Sequence, residues 1–328
     1  MTKSSTAAND LPPSQPPSWK AANPFSRMRV RYLFGWLIFV GIVTLLLSTV
    51  ISIILILGPG WHLESSLREL LSRGIPHVVA LLAVWIYLRR NRVSWTRLRG
   101  SAPRQSTCFR VLKFGPVLVV FTLGEGLVLF YALSHLAPGL LDTLLSLELF
   151  VTAADEQQQW AYDLVMMFQI VVLGPVVEEA LFRGLLLHCW AVRWNLTAAL
   201  WTSSLLFGIG HPHTFIGSTV FGLVMAILYL ETGSLLVPIV VHAANNAIGC
   251  LITVTGRVLP TWALPDAWSS AVEIGDLFWL GILLLGVSAP LLFLYISKHW
   301  PRRSIPLPYF RTATFPVPAE NPEGSTQL

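Results

Sequence analysis

Two adjacent carboxylates, Glu178 and Glu179, followed by Arg183, interrupt an apolar run that extends from Val171 to Leu187. A charge at mid-bilayer costs at least about 2.5–3.5 kcal/mol on insertion scales, so each one in such a run needs a reason. On a helix Glu179 and Arg183 are one turn apart and close in angle, whereas Glu178 points about 100° away. That spacing predicts a buried Glu179–Arg183 ion pair that fixes the helix and leaves Glu178 without a local partner. His211 ends the run Leu205-Leu206-Phe207-Gly208-Ile209-Gly210, and His242 and Asn246 lie one turn apart on a face of a later run. A single histidine in an apolar helix is usually a satisfied core residue. A carboxylate, two imidazoles and an amide on three helices form a set that lipid would expel unless they faced one another. Glu178 with His211 is a pair able to hold and deprotonate a water. His242 and Asn246 are donors suited to an oxyanion developing on a carbonyl. Together they describe hydrolysis of an amide at membrane depth, with no covalent nucleophile; HExxH, GxSxG and P-loop signatures are absent.

A continuous helix from Glu178 to Asn195 rises about 25 Å, and the next, from Asn195 to His211, returns about 24 Å. A hairpin turning near Asn195 therefore brings His211 level with Glu178. His242 lies only about 10–15 Å from the turn near Gly233, so it needs a tilted span or a sunken helix start. Pro175 removes a helix N–H three residues ahead of Glu178 and predicts a kink beside the carboxylate, eased by Gly174. Glu125, in Leu123-Gly124-Glu125-Gly126, either lines the cavity behind the reacting groups or pairs with a polar group between helices, the commoner fate of an intramembrane acid. Ser218, Gly222 and Ala226 form a small-residue stripe that reads as close helix packing.

The elements that must position these residues are membrane helices. Of 328 residues 54% are hydrophobic and 12% charged, about half the charge of a soluble domain. That excludes a soluble enzyme and a disordered polypeptide. The net charge of +5 comes from Lys and Arg lying between apolar runs, which is how cytoplasmic loops look, and excludes a nucleic-acid-binding face. Cys108, Cys189 and Cys250 have no ligand spacing. The expected architecture is an all-α polytopic membrane protein with about eight spans around an intramembrane cavity. Residues 1–31 read as a disordered arm. Residues 32–162 hold three spans (apolar runs 33–57, 75–88 and 111–136), a basic loop at 89–113 and a weakly amphipathic segment at 138–162. Residues 163–254 hold the helices bearing the reacting groups, with runs at 163–192, 196–211, 215–231 and 235–254. Residues 255–297 are a loop and the last span, and 298–328 a proline-rich tail.

Basic groups at 27–31, 89–113, 183–193 and 298–303 fall on one side of an eight-span count, which predicts that both termini are cytoplasmic. Trp61, Trp160, Trp194 and Trp300 read as interface anchors, and Asp163 and Glu231 as interfacial residues at helix ends. The chain ends Ser325-Thr326-Gln327-Leu328 with no lipidation cysteine.

The stretch Gly174-Pro175-Val176-Val177-Glu178-Glu179-Ala180-Leu181-Phe182-Arg183-Gly184 resembles the EExxxR motif of the CAAX-protease and bacteriocin-processing (CPBP) intramembrane proteases. Phe207-Gly208-Ile209-Gly210-His211 resembles their FxxxH motif, and His242-Ala243-Ala244-Asn245-Asn246 their HxxxN motif. Leu230-Glu231-Thr232-Gly233-Ser234-Leu235 also looks like the family. The resemblance covers about 170–250, a quarter of the chain. Each motif alone is weak; three in order at family-like separation are specific. The resemblance implies that Glu178 activates water with His211 as its partner, that Glu179 and Arg183 are structural or orient substrate, and that His242 and Asn246 bind the oxyanion. Phe207 and Glu125 would stand just behind them. Catalysis without a metal is preferred, because Asn246 beside His242 suits an oxyanion. Zinc held by Glu178, His211 and His242 is the alternative, three protein ligands plus water being its usual catalytic set. The implied partners are membrane lipid and a membrane-associated peptide or protein, prenylated in the CAAX-trimming branch. The competing functions are a non-catalytic scaffold or immunity protein of the same fold, and a proton-coupled carrier using Glu178 and Glu125. The missing internal repeat weighs against the carrier.

Overall fold

In lipid every backbone polar group must be satisfied within the chain, which leaves helices as the way for this composition to span. The computed structural model describes residues 23–57, 65–145, 156–258, 277–301 and 306–311. It is 88% helical, with no strand among the described residues. The helices are α1 (Pro24–Arg27), α2 (Val30–Leu57), α3 (Ser65–Arg90), α4 (Trp95–Arg99), α5 (Gln105–Leu112), α6 (Phe114–Leu136) and α7 (Pro138–Leu145). Helix α8 starts as Glu156–Phe168, passes through π-helical turns at Gln169–Leu173 and Ala180–Leu186, and ends as Leu187–Arg193. After it come α9 (Leu196–Ile209), α10 (Phe215–Thr232), α11 (Leu236–Val258), α12 (Phe278–His299) and α13 (Pro308–Arg311).

Among the described residues six helices are long and apolar enough to cross a membrane: those containing Val30–Ile51, Gln105–Leu136, Tyr162–Arg193, Pro212–Thr232, Leu236–Thr255 and Phe278–His299. The expected runs at 75–88 and 196–211 are helical but do not qualify. Helix α9 has 14 residues, about 21 Å against a hydrocarbon core of about 30 Å. Helix α3 is long enough, but Arg68, Glu69 and Arg73 occupy its first half and Arg89 and Arg90 its end.

Helix α10 is the axis of the bundle, buried along almost its whole length from Gly217 to Leu230. Its small-residue stripe lets α9 approach: a Cβ on Gly222 would stand 3.0 Å from Ser204 Cα. Its N-terminus is capped from α6. Ile216 N–H donates to Glu125 Oε1 (2.9 Å) and Gly217 N–H to Glu125 Oε2 (2.6 Å). Glu125 therefore has a pairing role: a buried carboxylate set against the positive end of a helix and its unsatisfied N–H groups. Gly217 is what admits it, since a Cβ there would fall on Glu125 Oε2 and come within 3.0 Å of Thr122 Oγ1. Gly217→Ala is expected to lose about 1–3 kcal/mol by orphaning that carboxylate. Gly126→Ala, where a Cβ meets nothing within 4 Å, is the control. Thermal unfolding in detergent should separate the two; equal stabilities would refute the capping role.

The end of α10 and the start of α11 are pinned by the α4 turn. Tyr229 Oη donates to the Leu98 carbonyl and Leu235 N–H to the Arg99 carbonyl, both at 2.8 Å. Gly100 (φ 72°) lies directly on the Gly233 carbonyl, where no side chain fits.

Residues from the two polar ends join the same region. Phe25 of α1 is fully buried, stacked on His188 (4.8 Å) and edge-on to Tyr309 of α13 (5.0 Å). Asp163, expected at an interface, is buried within α8. Glu231 does stand exposed at the end of α10, accepting from Tyr295 Oη (3.1 Å) and paired with His299. Trp61 and residues 146–155 of the amphipathic segment lie outside the described residues.

Candidate active site

Helix α8 supplies the carboxylates. The i, i+4 relation of Glu179 and Arg183 yields a fully buried ion pair, Nη1 to Oε1 at 2.9 Å. The second arm of the guanidinium donates to the Gly222 carbonyl of α10 (3.1 Å), and its plane lies 4.9 Å from the Phe207 ring centroid. Arg183, counted above among the basic groups at 183–193, is thus no loop cation; it stays buried because every face of it is engaged. Its partner carboxylate does more than pair with it. His242 Nδ1 lies 2.8 Å from the same Glu179 Oε1, while His242 Nε2 stands 3.7 Å from Glu178 Oε2. The ring is held edge-on by Phe221 (4.7 Å) and Phe207 (5.9 Å). His242 therefore sits level with both carboxylates.

The N–H on Nδ1 donates to the Glu179 carboxylate. In the neutral imidazole that bond selects, Nε2 is an acceptor turned toward Glu178. Glu178 is the opposite of its neighbour: its side chain is 29% exposed, and its buried Oε2 has no hydrogen-bond partner.

His211 lies just beyond α9. Its Nδ1 hydrogen-bonds the Phe207 carbonyl (2.9 Å) and its ring stacks on Phe207 (4.6 Å). It makes no direct hydrogen bond or ion pair with Glu178; the imidazole nitrogen within 4 Å of Glu178 is His242 Nε2, at 3.7 Å. Phe207 is the hub of the arrangement, touching Phe182, Arg183, His211, Phe221 and His242.

Asn246 is oriented by a backbone defect. Gly174 N–H donates five residues back, to the Gln169 carbonyl, and Pro175, next in line for Ile170, has no N–H. The Ile170 carbonyl is left over, and Asn246 Nδ2 takes it at 2.9 Å. Pro175 thus acts through a π-helical turn that fastens α11 to α8. Gln169 and the Ile170 carbonyl escaped the motif reading, although counting five residues back from Pro175 points at Ile170.

Among the described residues no group of three or more His, Cys, Asp or Glu side chains is placed to hold a metal ion. Zinc needs three protein ligands. Glu178 and His242 face each other at 3.7 Å, and His211 spends Nδ1 on the Phe207 carbonyl, which leaves its Nε2 free.

The fold and site define a polytopic membrane protein with a carboxylate–imidazole–carboxylate cluster between its helices. Residues 159–248 match the family described as type II CAAX prenyl endopeptidase Rce1-like, which is consistent with the CPBP resemblance of the three motifs. An Escherichia coli protein described as an uncharacterized 24.3 kDa protein is similar to this chain, with 30% identity over 89 residues, 25% of this chain and 41% of the relative. The chain thus spans less than half the length of that curated relative. No solved structure matches it.

Proposed function

We propose that this protein is an intramembrane endopeptidase that hydrolyses a peptide bond near the cytoplasmic face, its substrate a membrane-associated, prenylated CAAX-type peptide. The family match supports the substrate class; the observation that carries the chemistry is His242 bracketed by Glu179 and Glu178. Glu178 is the base. It takes a proton from water, and the hydroxide adds to the scissile carbonyl. Passing that proton to His242 Nε2 turns an acceptor into an imidazolium N–H, stabilised by the carboxylate on either side. Only in that form does His242 donate to the tetrahedral oxyanion, or return the proton to the departing amine so that the C–N bond breaks. Asn246 keeps a second N–H for the oxyanion while its first holds the Ile170 carbonyl. His211, half-exposed with Nδ1 occupied, presents Nε2 to orient water or substrate. Glu179 and Arg183 are positioning residues.

Purified protein in detergent is expected to cleave a farnesylated CAAX peptide. His242→Gln, which cannot relay a proton, should lower kcat by about 10²–10⁴ with the fold intact. Full activity in that variant would overturn the relay.

A further inference from the structure

Helices α2 and α3 form a hairpin whose cations have no acidic neighbour. Trp36 Nε1–H of α2 donates to the Ala83 carbonyl of α3 (3.4 Å), and the Arg90 guanidinium lies 5.7 Å from the Trp36 ring centroid. Those contacts set the start of α2, with Arg29 and Arg31, beside the end of α3, with Arg89 and Arg90. All four arginines are exposed, and among the described residues none of them forms an ion pair. The chain supplies no local partner, since residues 11–63 and 70–124 contain neither Asp nor Glu. The guanidiniums lie on rings instead. Arg31 stands 5.1 Å from the Tyr32 ring centroid, and Arg89 stands 4.7 Å from that of Trp85.

One face of α3 changes character at Arg89. Val78, Leu82, Trp85 and Arg89 are spaced i, i+4, i+7, i+11, and the three apolar members are each about half exposed. An exposed apolar stripe on a membrane helix lies against acyl chains, and a tryptophan at its end marks the headgroup level. A guanidinium just beyond that level meets lipid phosphate. Its fork of donors matches phosphate oxygens while its plane stays stacked on an aromatic face. We propose that the α2–α3 end binds the headgroup of an anionic phospholipid. Arg89 and Arg90 hold the phosphate, and an acyl chain lies on Val78, Leu82 and Trp85. Arg29 and Arg31 add charge that disfavours a choline, so the site selects an anionic headgroup over a zwitterionic one. Both helices precede residues 159–248, so this surface stands outside the segment that matches the family.

Lipid binding needs no turnover, so it is read independently of peptidase activity. Native mass spectrometry of the full-length protein in neutral detergent, titrated with phosphatidylglycerol or phosphatidylcholine, measures it. The wild type should prefer phosphatidylglycerol about tenfold. Arg89→Gln with Arg90→Gln should weaken phosphatidylglycerol binding about thirtyfold, the effect of two lost cations near a lipid surface. Arg104→Gln with Arg110→Gln removes the same charge from exposed positions of the neighbouring loop and should leave the affinity near that of the wild type. Equal losses in the two double variants would reveal a diffuse field rather than a site and overturn the proposal. Equal affinity of the wild type for the two lipids would overturn it as well, and that comparison decides even if a variant folds poorly. Glycerol 3-phosphate at the same concentration should not displace the lipid; displacement would assign the arginines to a soluble phosphate instead.

Discussion

Glu178→Gln is expected to abolish peptide cleavage while the protein accumulates normally and unfolds at or slightly above the wild-type temperature. The two halves of that result have one origin. The Glu178 carboxylate is loosely held: its buried Oε2 lacks a hydrogen-bond partner, and the nearest imidazole nitrogen is at 3.7 Å. A neutral amide of the same shape fills that space without adding the cost of a carboxylate at membrane depth. The amide cannot accept the proton of water, so the rate falls by at least the about 10²–10⁴ assigned to general-base catalysis. Glu178→Asp, one methylene short, should recover part of the rate. Mass-spectrometric cleavage assays alongside detergent melting curves check both. A scaffold or immunity protein would keep its biological activity through the substitution, and a carrier would lose transport rather than proteolysis. Undiminished cleavage by Glu178→Gln would sink the mechanism.

Local relations were legible in the residues; relations between helices were less so. The Glu179–Arg183 pair follows from one helical turn, and it is present. Glu178 is the unpartnered acid for the same reason. The pairing across helices could not be reached by counting rise per residue. That count levels His211 with Glu178 but could not show that its Nδ1 is spent on the Phe207 carbonyl. It left His242 too shallow, yet the α4 turn anchors the start of α11 so that His242 meets both acids. Asn246 illustrates the limit best. Its partner exists only because π-helical winding and Pro175 together free the Ile170 carbonyl, and neither winding nor tertiary contact is written in hydrophobic periodicity. Glu125 could be narrowed to two readings; its capping of α10 depended on a glycine 92 positions away. The expected eight spans and the six helices that qualify by length and composition among the described residues differ at two elements, where apolar character and length part company: α9 is apolar and short, α3 long and charged.

Arg183→Met is expected to cost stability first and activity as a consequence. Glu179 is wholly buried and Arg183 nearly so. Removing the guanidinium leaves the carboxylate with His242 as its one hydrogen-bond partner and strips the Gly222 carbonyl of a donor. Breaking a buried pair from one side costs about 3–5 kcal/mol, because the remaining charge is uncompensated. Arg183→Lys should fall between, since a single ammonium reproduces neither the fork to Glu179 and Gly222 nor the flat contact with Phe207. The informative variant is the double one. Arg183→Met with Glu179→Met replaces the ion pair by apolar side chains, often neutral or better for stability, so the melting temperature should return toward wild type. Cleavage should not return with it. Without Glu179, His242 Nδ1 loses the acceptor that fixes its tautomer and stabilises its protonated form, and kcat should stay down while peptide binding to the folded variant persists. If the double variant regained both stability and turnover, Glu179 would be a purely structural residue, and His242 would not depend on it for orientation.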